Sequence, residues 1–369
     1  MAEWFQIDDI EKLDTPVLVV LPDRVRENIK LAIEMTGDIN RLRPHVKTHK
    51  CGDVAKLMVD AGISKFKCAT IAEAEMLGKA RAKDVLLAYQ PLGPKLQRFV
   101  NLIGKYPATN FSCLTDNKSA ASEQSEVFAA AGYKVPVYLD LNVGMNRTGI
   151  KPGEEALALY EYCSTLKGIK PVGLHAYDGH CRNPDIKIRT VECDKLFEPV
   201  FELKDILIAK GHAEPVIIAG GSPTFPIHAN RKNVEASPGT FIYWDRGYNV
   251  LCAEQPFKTA AVLVTRVISN PAENLFCLDL GHKSVAAENE ITRRIYFLNA
   301  EGLEPIGQSE EHLVVKNTGG QKLKVGDVLY GLPYHICPTV ALYERVVTIE
   351  NGKVSGEWKN IARDRKIEV

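Results

Sequence analysis

The sequence predicts an α/β protein in which a (β/α)8 TIM barrel carries an additional all-β domain. Two observations support this fold class. From about residue 41 to 240, short β-rich segments alternate with helix-like segments, and after about residue 256 the helical segments give way to short β segments with Gly and Asn turns. Such alternation predicts parallel strands joined by crossover helices, and eight parallel strands close into a barrel with a filled interior.

The eight predicted strands are short runs in which apolar and β-branched residues are frequent, as is typical of strands. In chain order they are RLRPHVK, KFKCAT, DVLLAYQ, NFSCLTD, VPVYLDLN, KPVGLHAY, EPVIIAGG and NVEASPG. The segments between them, such as CGDVAKLMVDAG and IAEAEMLGKARA, are rich in residues that favour helices. A doubly wound open sheet made of the same strands is the alternative arrangement.

The all-β domain is predicted over residues 251–369, where helical periodicity is absent. The early segment DTPVLVVLP is also β-branched and precedes the first helix-like segment, DRVRENIKLAIEM. It is therefore assigned to the same domain. The predicted boundaries are 22–250 for the barrel, and 1–21 plus 251–369 for the β domain.

Charge and composition narrow the class of partner. Lys plus Arg and Asp plus Glu both number 46, so no net field attracts nucleic acid or an anionic membrane. The sequence lacks a long apolar run, and its first residues have neither the basic nor the apolar region of a signal peptide. We therefore expect a cytoplasmic protein that binds a small molecule, with its nine scattered cysteines reduced.

Lys47 is the first candidate for chemistry. In RLRPHVK, strand alternation places Arg43, His45 and Lys47 on one face, which in a barrel can be the interior. A lysine in that position loses its proton more easily, and the neutral amine can condense with an aldehyde. Binding of an anion by the three basic residues, or a lysine that extends into solvent, is the alternative interpretation.

A Gly-Gly-Ser turn follows the seventh predicted strand, in IIAGGSPTF. Glycines such as Gly221 let backbone N–H groups approach a phosphate closely, and Ser222 and Thr224 add hydroxyl donors. The SPGTFIYWD stretch one strand later brings Gly239 and Tyr243. Barrels commonly hold phosphate between the ends of strands seven and eight, so the two segments together predict a phosphate site.

A third candidate site lies in LPYHICPTV, where His335 and Cys337 are two positions apart. In an extended segment such residues project on the same face, so imidazole and thiolate can bind one metal ion such as zinc. Two protein ligands are too few for a closed structural site and leave positions open for water and substrate. A buried cysteine beside a hydrogen-bonded histidine is the alternative.

Taken together, these motifs resemble the D-threonine aldolase and D-serine dehydratase group, whose barrel domain is similar to that of alanine racemase and other fold type III pyridoxal-phosphate enzymes. The resemblance runs nearly end to end. It is carried by LDTPVLVV, RPHVKTHK, KFKCATIAEAEML, VYLDLNVGMNRTGI, GLHAYDGH, AGGSPTF, SPGTFIYWD, LDLGHKSVAAE, SEEHLVV and HICPTV.

The resemblance implies pyridoxal 5'-phosphate bound covalently to Lys47 and a divalent metal, Zn, Mn or Mg. The implied cofactor contacts are Arg147, Tyr177, Gly221, Ser222, Thr224 and Tyr243, and the implied metal ligands are His335 and Cys337. Aldolases of this group often carry a further histidine, in a Gln-His pair, after the YxG turn, and YDGHCRNPD departs from this pattern because it offers only His180. The expected catalytic base is His180 or, alternatively, a metal-bound hydroxide. A homodimer is implied as well.

The expected activity is a lyase reaction that cleaves β-hydroxy D-amino acids to glycine and an aldehyde. D-serine dehydration is the alternative on the same scaffold, because the cysteine of the metal motif is a trait shared with the dehydratases. An amino-acid racemase, a non-catalytic pyridoxal-phosphate carrier, and a barrel phosphatase or sugar isomerase are further alternatives. The carrier is disfavoured because such proteins resemble the barrel alone.

Overall fold

A computed structural model describes residues 3–369, which form two compact units. The β unit comprises the N-terminal residues up to Ile29, Thr48–Asp53 and Thr240–Arg363, and the barrel unit comprises Lys30–Lys47, Val54–Gly239 and Asp364–Val369.

Strands and helices are numbered in chain order. The strands are β1 Val17–Val20, β2 Lys65–Cys68, β3 Asp84–Leu87, β4 Asn110–Thr115, β5 Val135–Leu141, β6 Ile169–Ala176, β7 Val216–Ala219, β8 Val234–Ala236, β9 Ala261–Ala272, β10 Leu275–Leu278, β11 Ile295–Phe297, β12 Leu303–Gln308, β13 Leu313–Asn317, β14 Val328–Pro333, β15 Arg345–Glu350 and β16 Lys353–Lys359. The α-helices are α1 Pro22–Thr36, α2 Gly52–Asp60, α3 Ile71–Lys79, α4 Pro94–Lys105, α5 Lys118–Ala130, α6 Glu154–Thr165, α7 Ile186–Ala209, α8 Phe225–Ala229, α9 Arg246–Leu251 and α10 Ile336–Val340. Short 3-10 helices cover Ile10–Lys12, Ile39–Arg41, Thr240–Ile242, Ile291–Arg293 and Ile361–Arg363.

The barrel unit contains a parallel sheet in the order β2-β3-β4-β5-β6-β7-β8, which is seven strands within residues 3–369. The predicted fold class is confirmed, but the first predicted strand, RLRPHVK, is not a regular strand. It forms isolated bridges from Leu42 to Ala236 and from His45 to Lys67, and so joins the last and first strands of the sheet. Pro44 has no N–H to donate and the chain turns at Val46, so the segment is too short for a continuous ladder.

Capping side chains stabilise the first turns of several crossover helices. The hydroxyl of Thr70 accepts the N–H of Glu73, and the Glu73 carboxylate accepts the N–H of Ala69 at the start of α3. This reciprocal arrangement satisfies backbone donors that a helix leaves unpaired in its first turn. The side chains of Asn117 and Asp185 likewise accept backbone N–H groups in the first turns of α5 and α7, without the reciprocal bond. These caps place each helix start directly after the loop that carries the end of a strand.

A layer of charged side chains lies in the interior of the barrel unit. Arg43 is 1% exposed and pairs with Glu235 at 2.6 Å and with Asp84 at 2.5 Å. Lys65 also pairs with Glu235. Burial alone would lower the pKa of Arg43, but the two carboxylates raise it overall. Farther along the strands, the apolar side chains of Leu86, Leu114, Tyr138 and Ile218 pack together.

Replacing Glu235 by glutamine is expected to lower the free energy of unfolding by about 3 kcal/mol, because it leaves the buried Arg43 without one of its charged partners. Urea unfolding of the full chain measures this change. The exposed pair of Arg345 and Glu357 provides a matched control, so Glu357→Gln should leave the unfolding midpoint almost unchanged. Equal effects of the two substitutions would show that burial of the charged layer is unimportant.

The β unit is built on a largely antiparallel sheet in the order β12-β13-β10-β9-β1-β15-β16, with β14 pairing both β9 and β11. The pair of β1 and β15 is parallel. Its apolar core joins buried side chains of β1, β9, β14 and β15 with residues near the N-terminus. These are Phe5, Ile7, Val19, Val262, Val264, Tyr330, Leu332, Val347 and Ile349.

Two further observations concern the chain as a whole. All nine cysteines lie in the described part of the chain, and none of them forms a disulfide. From Glu3 to the C-terminus, no helix has the length and apolar content that crossing a bilayer requires.

Candidate active site

Three cationic side chains of the barrel unit surround the ring of Tyr177. The Lys47 Nζ atom lies 5.5 Å from the ring centroid, the Lys67 Nζ atom 5.9 Å, and the guanidinium carbon of Arg147 5.1 Å. The face of an aromatic ring attracts cations, which contributes to holding these groups together. Lys47, Tyr177 and Arg147 were predicted from sequence, and the structure brings all three together.

Lys67 is a second amine at this site. Its side chain extends from β2 and is 2% exposed. Burial and the neighbouring charge of Lys47 lower the pKa of Lys67 to about 7, although Asp178 and Asp140 act in the opposite direction. Lys67 could have been identified as a site residue from the sequence, because strand alternation in KFKC puts Lys65 and Lys67 on one face and Phe66 and Cys68 on the other.

The depressed pKa of Lys67 predicts a pH dependence of stability in protein freed of any cofactor. The amine has an ordinary pKa of 10.5 but releases its proton near pH 7 in the folded barrel, so stability rises with pH between these values. Lys67→Met is expected to be more stable than the unmodified protein at pH 7 and to lose this part of the slope. Urea unfolding across the range measures it, with the exposed Lys151→Met as a control that keeps the slope. An unaltered slope in Lys67→Met would contradict the assignment.

His175 offers an unpaired nitrogen to the same site. Register places it beside Asp140 on the neighbouring strand, and its Nδ1 lies 2.7 Å from the Asp140 carboxylate. Its Nε2 is buried and has no hydrogen-bond partner. Burial lowers the pKa of His175, and Lys67 and Arg147 contribute, although the hydrogen bond to Asp140 opposes them. The neutral ring therefore donates from Nδ1 and presents the Nε2 lone pair, which a ligand can satisfy.

The Gly-Gly-Ser turn follows β7 and contacts Tyr177. Gly220 has a φ of +80°, and a Cβ on Gly221 would lie 3.0 Å from the Tyr177 Cε2 atom. The Ser222 hydroxyl accepts the N–H of Gly239 at 3.3 Å, so a hydrogen bond joins the turns after β7 and β8. The Thr224 hydroxyl is fully buried and donates to Asp178 at 2.8 Å.

These features of the barrel unit fit an anionic aromatic ligand with an electrophilic carbon. The cations around Tyr177 supply positive charge, the glycine turn supplies space and backbone N–H groups, and His175 supplies a free acceptor. Lys47 and Lys67 supply the amines.

His335 and Cys337 lie together in the β unit. The His335 Nδ1 atom is hydrogen-bonded to the Glu288 carboxylate, and the ring also hydrogen-bonds the Cys337 side chain. The Cys337 Sγ atom lies 3.1 Å from the hydroxyl of Thr48, the residue that follows Lys47 in the sequence. Burial lowers the pKa of His335, but Cys337 and Glu288 raise it overall to about 9. A carboxylate that orients a histidine in this way is the usual second partner of a metal-binding imidazole.

Tyr243 and His180 are the remaining residues that the sequence predicted for the cofactor and for catalysis. Tyr243 belongs to the β unit, where its hydroxyl is buried and unpaired and its ring centroid lies 6.5 Å from that of His49. His180 is exposed and packs against the loop after β5, where a Cβ on Gly144 would lie 2.8 Å from its Nε2. Within the part of the chain that the structure describes, no hydrogen bond joins His180 to Lys47 or Arg147.

Comparison with known families matches most of the chain to two domains. The family described as "Alanine racemase, N-terminal domain" matches residues 20–247, and "Putative serine dehydratase domain" matches residues 260–349. The D-threonine aldolase of Arthrobacter sp is 26% identical, covering 96% of this chain and 94% of that protein. The 3-hydroxy-D-aspartate aldolase of Paracoccus denitrificans is also 26% identical, at 97% and 94%. The D-serine dehydratase of Dictyostelium discoideum is 24% identical, at 93% and 95%.

Solved structures show the same fold. The D-threonine aldolase from Filomicrobium marinum superposes with a TM-score of 0.86 at 23% identity, covering 95% of each chain. A cysteine variant of a D-threo-3-hydroxyaspartate dehydratase, solved in the metal-free form, gives 0.83 at 22% identity, covering 96% of this chain and 99% of that one. The resemblance drawn from the sequence motifs is thereby confirmed at the level of the family and the fold.

Proposed function

The chain belongs to the alanine racemase N-terminal domain family, and we propose that it is a lyase, dependent on pyridoxal phosphate and a divalent metal, that cleaves β-hydroxy D-amino acids to glycine and an aldehyde. The observation that carries the proposal is the convergence of Lys47, Lys67 and Arg147 on the ring of Tyr177, beside the glycine turn. Relatives matched over nearly the whole chain are aldolases and dehydratases of hydroxy D-amino acids and D-serine.

The residues of the barrel unit fit pyridoxal phosphate. Lys47 would hold its aldehyde covalently, the turn at Gly221 and Ser222 its phosphate, and Arg147 and Tyr177 its ring. Thr224, and Tyr243 in the β unit, are proposed as further contacts. The cofactor supplies an electron sink for the bond that breaks at the Cα atom of the substrate.

The side chains of this site then determine where protons are held. The Lys47 amine is proposed to carry a proton to or from the substrate Cα. The neighbouring amine of Lys67, whose pKa burial and the charge of Lys47 lower to about 7, lies beside the same ring. The Nε2 atom of His175, which is buried and unpaired, would accept a hydrogen bond from the bound ligand and so help to orient it. His180 is proposed to accept the proton of the substrate β-hydroxyl.

His335 and Cys337 are proposed to hold the metal, because they adjoin each other and Glu288 orients the imidazole. An imidazole with a thiolate favours zinc over magnesium, which prefers oxygen ligands. The metal supplies a Lewis acid for the β-oxygen of the substrate.

Dehydration is the second candidate, and one observation favours it. A dehydratase of the same fold has been solved as a cysteine variant in the metal-free form, and the proposed metal site of this chain also contains a cysteine. Both reactions begin with the same substrate groups and differ in whether the Cα–Cβ bond or the Cβ–O bond breaks.

Incubation with D-threonine and D-serine distinguishes these activities. We expect glycine and acetaldehyde from D-threonine, with no turnover of L-threonine. Ammonia and a keto acid as the main products would instead establish the dehydratase. Absence of both sets of products, or racemisation of alanine, would contradict the proposed lyase.

We also propose that the protein is a homodimer, as the resemblance implies. Sedimentation at the concentration of the activity assay is expected to give twice the mass of one chain. A fully active monomer would contradict this assembly.

A further inference from the structure

A fully buried cluster of Asp178, Cys193 and His228 lies behind the Gly-Gly-Ser turn in the barrel unit. The His228 Nε2 atom is 2.8 Å from the Asp178 carboxylate, and the Cys193 Sγ atom is 3.6 Å from both. All three candidate ligand atoms lie within 4.8 Å of one another, a spacing that would suit a metal ion. The cluster is therefore either a metal site or a hydrogen-bonded structure, and the contacts of His228 decide between them.

Arg231 fixes the hydrogen-bonding direction of His228. Its Nη1 atom lies 3.0 Å from the His228 Nδ1 atom. A guanidinium can only donate, so Nδ1 accepts, and the ring proton is on Nε2, which donates to Asp178. A metal at Nε2 would move this proton to Nδ1, where it would face the Arg231 N–H.

Arg231 is itself held in place. It pairs with Asp194, and its guanidinium carbon lies 5.0 Å from the ring centroid of Phe197 and 5.5 Å from that of Phe201. Burial, with the nearby charge of Asp178, raises the pKa of the Cys193 thiol, so this group keeps its proton and donates to the carboxylate. Both observations favour a hydrogen-bonded structure over a metal site.

The hydrogen bonds of the buried cluster continue from Asp178 to the Gly-Gly-Ser turn. The Asp178 carboxylate accepts the hydroxyl of Thr224 at 2.8 Å, and the N–H of Gly221 lies 3.4 Å from the same hydroxyl oxygen. A Cβ on Gly220 would lie 2.5 Å from the His228 Cδ2 atom, so the turn packs directly on the imidazole. Arg231, His228, Asp178 and Thr224 thus form one buried chain of hydrogen bonds that supports the turn from behind.

We propose that this buried hydrogen-bond chain holds the Gly-Gly-Ser turn in the conformation that binds a phosphate group, and that Arg231, His228 and Asp178 are positioning residues for it. The proposal rests on the proposed function, which places the phosphate of pyridoxal phosphate at this turn. A turn ordered in advance binds its anion without the cost of ordering it, so the chain should affect affinity for the phosphate part of the ligand alone.

The test compares two ligands that differ by the phosphate group. Full-length protein stripped of cofactor is titrated with pyridoxal phosphate and with pyridoxal, and binding is followed by visible absorption. His228→Leu is expected to weaken binding of pyridoxal phosphate by about tenfold or more while that of pyridoxal stays unchanged, since tenfold corresponds to the loss of about one hydrogen bond. His228→Gln keeps a donor to Asp178 and should recover part of the loss.

Arg231→Met and Cys193→Ala test the same ratio of affinities for pyridoxal phosphate and pyridoxal. Arg231→Met changes a side chain that is 16% exposed, so it tests the proposal if His228→Leu does not fold, and it should lower the affinity ratio in the same direction. Cys193→Ala should leave the ratio unchanged. Metal content is measured in parallel on a His335→Ala/Cys337→Ala double variant, which is expected to contain none.

Several outcomes would overturn the proposal. Equal weakening of both ligands would give His228 a general structural role. A loss confined to Thr224→Val, with Arg231→Met and His228→Leu unaffected, would show that Thr224 contacts the phosphate without this support. Metal retained by the double variant and lost in Cys193→Ala would make the cluster a metal site. Failure of the unmodified protein to bind either ligand would instead contradict the proposed function, on which the proposal depends.

Discussion

Replacing Lys47 by alanine is expected to abolish the visible absorption band of covalently attached pyridoxal phosphate and to lower turnover of the β-hydroxy D-amino acid about a thousandfold or more. The substitution removes both the amine that holds the cofactor and the group proposed to move the proton at Cα. The ring of Tyr177 and the guanidinium of Arg147 remain, so the variant should still bind the cofactor without covalent attachment.

Two further variants separate the amine from its charge. Lys47→Arg keeps the positive charge near Tyr177 but cannot condense with an aldehyde, so it should lose the band as completely as Lys47→Ala does. Lys67→Met removes the neighbouring amine and is expected to keep the band. The reverse pattern, with the band lost in Lys67→Met and kept in Lys47→Ala, would move the covalent role to Lys67.

Replacing Cys337 by alanine is expected to remove the divalent metal and to lower kcat about a hundredfold or more. A metal that acts as a Lewis acid contributes several kcal/mol to the transition state, and each 1.4 kcal/mol is about a factor of ten in rate. The cofactor band should be unaffected, because the proposed covalent attachment is at Lys47. Metal analysis of the purified variant and steady-state kinetics measure the two effects.

Glu288→Gln provides the graded form of the same test. Glu288 hydrogen-bonds His335 without being proposed as a ligand, so its loss should weaken metal affinity by about tenfold to a hundredfold. Excess metal should then restore turnover in Glu288→Gln but not in Cys337→Ala. Undiminished turnover after a chelator has removed all metal from the unmodified protein would contradict the role of this pair.

The alternation of β-rich and helix-like segments predicted most of the fold. Seven of the eight expected strands form a continuous parallel sheet, in which neighbouring strands are hydrogen-bonded. The exception, RLRPHVK, shows what composition does not encode. The bonds from Arg43 to Ala236 and from Val46 to Lys67 connect residues far apart in the sequence, and the turn at Val46 cuts the segment short. Its place between the last and first strands could be inferred, but its irregular form could not.

The candidate site was predictable where residues are close in sequence and less so where they are not. The glycine turn and the His335–Cys337 spacing could be identified directly. The pairing of His175 with Asp140 depends on the register of β5 and β6, and Arg231 acts on the turn only through a histidine and an aspartate that are 50 positions apart. Lys67 could have been identified from strand alternation, since its neighbours Phe66 and Cys68 are apolar.

Chemical labelling can locate the lysine that carries the cofactor. Purified protein with bound pyridoxal phosphate is reduced with sodium borohydride and digested, and the labelled peptide is sequenced by mass spectrometry. We expect the pyridoxyl group on Lys47 alone. A label on Lys67, on a lysine outside the barrel unit, or on no lysine would contradict this expectation.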